Sequence, residues 1–75
     1  MDNDRMLEVG NGLIDKLIRT RKSLGMKIND LSEKSGVSKY TIYKIEAYDH
    51  KPSLDTLLLL CDALDCRLEI VKGRL

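Results

Sequence analysis

The sequence predicts a mainly α domain of four helices, two of them short and joined by a tight glycine turn, with a short β-strand at the end. Three observations carry that prediction. Apolar residues recur at helical spacing in four separate stretches. Glycine or a capping residue stands where most of those stretches begin or stop. The last stretch alone alternates with period two. Seventy-five residues make one domain, because so short a chain cannot build two cores. With 43% hydrophobic and 33% charged residues, the chain belongs with compact soluble proteins rather than disordered ones. Three Tyr are the only aromatics, so the core has to be aliphatic.

Leu13, Ile14, Leu17, Ile18 and Leu24 share one face and predict an amphipathic first helix over residues 12–24. Gly10-Asn11-Gly12 is expected to break anything upstream, leaving residues 1–11 as an N-terminal arm, and Gly25 is expected to stop the helix. Residues 28–35 can make about two turns with Leu31 inward. Gly36 ends them at a left-handed position, and Val37 returns to the core. Ser38 is a good N-cap for a third helix, with Ile42 and Ile45 inward and Lys39, Tyr40, Tyr43 and Lys44 on the other side. Two short helices around such a turn make a helix-turn-helix.

After the loop Ala47–Lys51, Pro52-Ser53 opens a fourth helix, capped by Ser53 and favoured by Asp55 in its first turn. Leu54, Leu57, Leu58, Cys61 and Leu64 are expected to form its apolar face, and Asp65 to end it. Residues 12–65 thus form the helix-turn-helix domain and residues 66–75 a strand and tail. Cys66 to Lys72 alternates apolar and polar, apart from Val71, and Gly73 bounds it. A lone strand is unstable and no second strand exists in the chain. The strand is therefore expected to pair with its copy in a second chain, which makes Leu68 and Ile70 the candidate dimer contacts.

Several function classes are excluded or disfavoured. No apolar stretch approaches the roughly 18 residues of a membrane span. The acidic start Met1-Asp2-Asn3-Asp4 has no apolar region of the secretory type, so a cytoplasmic protein is expected. Cys61 and Cys66 lie five apart with His50 distant, which suits neither a disulfide framework nor zinc, so no metal is expected. Cys61 reads instead as a small apolar core residue. There is no Ser/His/Asp or Cys/His set, no phosphate loop and no paired carboxylates in a cleft; catalysis is not expected, nor is a cofactor.

Charge is distributed unevenly. Residues 1–15 set Arg5 against Asp2, Asp4, Glu8 and Asp15, a net of −3. Residues 16–51 set Lys16, Arg19, Arg21, Lys22, Lys27, Lys34, Lys39, Lys44 and Lys51 against Asp30, Glu33, Glu46 and Asp49, a net of +5. Residues 52–75 come to −1. A basic middle between acidic ends fits a segment that faces an anion, nucleic acid being the commonest. A solvated helix face is the plain alternative.

The run from Leu17 to Leu64 resembles the Cro/phage-repressor type of helix-turn-helix regulators, the XRE family. The matching residues are Ile18-Arg19-Thr20-Arg21 before Gly25, Leu31, Gly36-Val37-Ser38, Thr41-Ile42, Ile45-Glu46 and Pro52-Ser53-Leu54-Asp55-Thr56-Leu57. In that family the third helix enters the major groove. The resemblance therefore implies base contacts by Lys39, Tyr40 and Lys44. Lys donates to guanine O6 and N7, and Tyr offers a hydroxyl and a ring edge for a thymine methyl. It implies DNA backbone contacts by Lys27, Ser38, Thr41, Tyr43, Tyr48, His50 and Lys51. It also implies a structural ion pair between Arg21 and Glu46 that ties the first helix to the third.

Two positions depart from the family pattern. Lys27 and Ile28 stand where relatives carry a Ser or Thr cap followed by Gln, so the second helix is expected to be poorly capped. Tyr48 stands where relatives mostly have Gly. Because Tyr disfavours positive φ, the third helix is expected to run on, or the Tyr48-Asp49-His50 loop to fold differently.

The function expected is that of a repressor binding a palindromic operator as a homodimer. An alternative of another class is an antitoxin that neutralises a partner toxin protein and represses its own operon, which the small size and the C-terminal strand suit. A third is a helix-turn-helix kept only as an interaction module.

Overall fold

The computed structural model describes residues 1–72. It contains four helices: α1 (Asn3–Ser23), α2 (Ile28–Ser35), α3 (Lys39–Glu46) and α4 (Leu54–Ala63). The last three fall where the caps and apolar spacing predict them. The first does not: it starts nine residues earlier than expected, and runs straight through Gly10-Asn11-Gly12. Glycine within a helix costs about 1 kcal/mol relative to Ala but, unlike proline, removes no hydrogen bond. Against that cost stand the Asp2 cap, whose carboxylate accepts from the Arg5 backbone N–H at 2.8 Å, and an apolar stripe that begins at Met6 and Leu7. The stretch expected to be an arm is thus the first half of α1.

Helix ends explain much of the chain path. Ser38 caps α3 by accepting from the Thr41 N–H, and Ser53 caps α4 by accepting from the Thr56 N–H, both at 3.1 Å. Lys27 has no side-chain acceptor to cap α2. Asp30 compensates in part, its carboxylate accepting from the Lys27 backbone N–H at 2.9 Å, which is one half of a capping box. Gly36 closes α2 in the left-handed conformation, φ 78°, and its N–H donates to the Ser32 carbonyl. The Ser32 hydroxyl then donates to the Val37 carbonyl and the Ser35 hydroxyl accepts from the Val37 N–H, so the turn into α3 leaves no loose backbone at that residue.

Neither expected outcome at Tyr48 occurs. α3 stops at Glu46, and Tyr48 itself takes φ 62°. The Tyr48 N–H donates to the Ile45 carbonyl and the Asp49 N–H to the Lys44 carbonyl, the two bonds of a Schellman ending. Asp65 ends α4 the same way at φ 56°, with Cys66 N–H donating to the Cys61 carbonyl.

The core is aliphatic: Ile14 from α1, Leu31 from α2, Val37 from the turn, Ile42 and Ile45 from α3, and Leu60, Ala63 and Leu64 from α4. Leu17, Ile18, Met26 and Ile28 pack against it. Ile28, which lacks the polar groups common at its place, is used for packing instead. α2 packs on α3 and α4, and α1 on α3. Two apolar expectations are corrected. Leu24 lies at the end of α1 and is exposed, and α4 turns Leu57, Leu60, Cys61 and Leu64 inward while Leu54 and Leu58 face out. Four consecutive leucines leave the helix phase open, and the i, i+3, i+4, i+7 set that fits the core decides it.

The expected strand does not form among the described residues. Residues 66–72 carry no strand, Ile70 is fully open, Val71 is largely exposed, and Leu68 is 36% exposed. A strand exists only within a ladder, and the described residues hold no second segment to pair with.

Candidate nucleic-acid interface

Each side chain of the helix-turn-helix is placed by what its helix buries. α3 sinks Ile42 and Ile45 to 1% and 2% exposure, which turns the opposite face outward. That face carries Lys39, Tyr40 and Tyr43, all exposed, with Lys44 half-buried beside them. Ser38 and Thr41 stand at its first turn, their hydroxyls joined at 2.9 Å. That bond uses one of the two hydroxyl protons and leaves one to donate. Six of the residues expected at DNA therefore lie on α3 or its cap, and Lys27 is exposed at the start of α2.

The other three do not stand with them. Tyr48 turns back to α1, where its hydroxyl donates to the Asp15 carboxylate. His50 and Lys51 line a groove with Met6, Leu7 and Gly10 of α1 and Leu57 of α4. The hydrogen bond to Asp15 raises the Tyr48 pKa above the ordinary tyrosine value, with smaller contributions from desolvation and from the charges of Asp15 and Glu46. A phenol has one proton, and this one is directed at Asp15. Tyr48 is thus a tie between the loop and α1 and has no proton free for a phosphate.

Arg21 and Glu46 hold the outward face at its angle. Arg21 Nε donates to Glu46 Oε2 and Nη2 to Oε1, each at 2.8 Å, while Nη1 donates to the Met26 carbonyl at 2.8 Å. Arg21 is 8% exposed, so this is a fork held among packed side chains, and α1, the α1–α2 turn and the end of α3 all meet on it.

A family model for helix-turn-helix proteins matches residues 17–71, from the second half of α1 to the tail. The chain belongs to the XRE family of helix-turn-helix proteins. No match was found among curated proteins or among solved structures. As an XRE-family protein it is a DNA-binding regulator of transcription, in a family that is not typically enzymatic. No helix of the XRE-family chain is long and apolar enough to cross a membrane, among the described residues. No group of three His, Cys, Asp or Glu side chains is placed to hold a metal among them either.

Sequence reasoning missed three contacts of this XRE-family site. Asp30, three residues after Lys27, carries the spacing of a reciprocal cap and could have been read. Met26 as a carbonyl acceptor and Asp15 as the partner of Tyr48 had no signal, since each depends on how α1 lies against later segments.

Proposed function

We propose that the protein is a repressor that binds a palindromic operator as a homodimer. Lys39, Tyr40 and Lys44 read base edges, and Lys27, Ser38, Thr41 and Tyr43 contact phosphates. One observation carries this reading: α3 buries Ile42 and Ile45 and turns Lys39, Tyr40 and Tyr43 outward with Lys44 half-buried beside them, on an axis tied by Arg21 and Glu46. Ammonium groups donate to guanine O6 and N7, and hydroxyls to phosphate oxygens. Tyr48 is left out of the phosphate set, and His50 and Lys51 contact DNA backbone only where the operator reaches the loop beside α1.

A single unit of this size covers too little DNA to bind tightly, so two copies read half-sites about 34 Å apart on one face of the duplex. The contact between copies is the tail, where the exposed Leu68 and Ile70 can pair antiparallel with their copies across a two-fold axis. Occupancy of promoter DNA then blocks transcription.

The test is selection of bound sequences from random DNA, followed by affinity measurements against salt. A palindromic consensus and a steep salt slope are expected. Lys39→Ala and Lys44→Ala should each weaken the consensus site by about 1–3 kcal/mol and relax one base position. Lys27→Ala should weaken all sequences alike and lower the slope by about one phosphate. Wild-type selectivity in both the Lys39 and Lys44 variants would show that α3 is not the reading helix.

A further inference from the structure

Tyr40 and Lys44 lie four residues apart on α3, so their side chains meet on one face of the helix. The Lys44 Nζ stands 5.5 Å from the centroid of the Tyr40 ring. That is within the range over which an ammonium is held by the negative face of an aromatic ring. Tyr40 is 71% exposed and makes no contribution to the buried core.

We propose that Tyr40 and Lys44 form one reading unit, in which the tyrosine ring positions the lysine ammonium for a guanine in each half-site. The inference rests on the reading of α3 as the DNA-facing helix and adds what that helix selects. A lysine on an exposed helix face is a flexible point charge, which attracts any phosphate and discriminates poorly between bases. The ring removes that freedom. Side chains of a helix lean toward its N-terminus, so Lys44 is drawn back over Tyr40, toward the end of α3 that meets base edges in the proposed docking.

The donor chemistry then selects the base. An ammonium has three N–H donors and no acceptor. With one directed at the ring face, two remain for a pair of adjacent acceptors. Guanine offers O6 and N7 together in the major groove, whereas adenine sets an N6 donor beside its N7. For this guanine preference Tyr40 acts through Lys44, as a positioning residue. Its ring is required for that preference and its hydroxyl is not.

The experiment compares wild type with Tyr40→Phe, Tyr40→Leu, Lys44→Met and the double variant Tyr40→Leu/Lys44→Met. Both positions lie outside the buried core, and thermal melts confirm that each variant folds. The consensus from random-DNA selection supplies the probe duplexes, each paired with one in which a single guanine is replaced by adenine. Wild type and Tyr40→Phe should both prefer guanine at one position by about tenfold. Lys44→Met should abolish that preference. Tyr40→Leu should cut it by about threefold, and the double variant should match Lys44→Met there.

Undiminished guanine preference in Tyr40→Leu, equal losses in Tyr40→Phe and Tyr40→Leu, or additive losses in the double variant each overturn the proposal. A second measurement needs no DNA. In the free protein, the Lys44 ε-methylene protons should be shifted upfield by the ring current in wild type and Tyr40→Phe and not in Tyr40→Leu; the absence of that shift overturns the stack itself. A shift without any sequence selection by wild type would instead overturn the DNA reading of α3, and the unit with it.

Discussion

Arg21 holds Glu46 through two parallel bonds of 2.8 Å, joining α1 to the last residue of α3. The same guanidinium donates to the Met26 carbonyl, so its fork closes on three segments at once. The pair ties α1 to the end of the helix whose other face turns Lys39, Tyr40 and Tyr43 outward.

Removing one partner leaves the other charge enclosed without compensation. Arg21→Ala should therefore lower unfolding free energy by about 3 kcal/mol, read from the urea midpoint, and weaken operator binding with it. Arg21→Met combined with Glu46→Leu should recover much of the stability, because no orphan charge remains. Equal midpoints for wild type and Arg21→Ala would contradict this account.

Tyr48 sits at φ 62°, where a side chain with a Cβ is strained and glycine is not. Tyr48→Ala loses the bond to Asp15 and keeps the strain, while Tyr48→Gly loses the bond and relieves it. The glycine variant should be the more stable of the two by about 1 kcal/mol, a reversal of the usual ranking of Ala over Gly. An alanine variant at least as stable as the glycine variant would refute the strain.

The bond to Asp15 also predicts the alkaline behaviour. Because it raises the Tyr48 pKa in the folded chain, its contribution to stability is complete below the ordinary tyrosine pKa of about 10 and is lost as pH rises through the raised value. In an NMR titration of the ring, Tyr48 should ionise above about pH 10 in wild type and return toward that value in Asp15→Ala. A titration unmoved by Asp15→Ala would mean the tie does not form in solution.

The tail is the last test. A chain ending at Asp65 keeps every residue of the buried core and loses Leu68 and Ile70. It should sediment as a monomer and bind the palindrome weakly, with its thermal melt still cooperative. The milder double change Leu68→Ser/Ile70→Ser should act in the same direction. A truncated chain that remains a dimer of wild-type strength would move the interface elsewhere.

Local chemistry was enough to read α2, α3 and α4 from the sequence. Ser38 and Ser53 cap, Gly36 turns, and Ile42 and Ile45 repeat at helical spacing; each signal acts within a few residues, so no distant contact is needed to interpret it. That α3 turns Lys39, Tyr40 and Tyr43 outward follows from the same short-range pattern. The length of α1 was not legible, because glycine lowers helix stability without forbidding a helix, and the balance depends on a cap and a stripe further upstream.

Tertiary structure decided the rest. Four leucines in a row permit several rotations of α4, and the shape of the core made by Ile14, Leu31 and Ile45 selects the one that buries Leu60 and exposes Leu54 and Leu58. The left-handed backbone at Tyr48 is unfavourable by itself and is closed locally by the bonds to Ile45 and Lys44, while its side chain is tied to Asp15, 33 residues away. Contacts over such separations depend on the packing of whole helices, which spacing along the chain does not record. Residues 66–72 show the same dependence from the other side: their alternation is local, but a strand forms only when a partner supplies the other half of its hydrogen bonds.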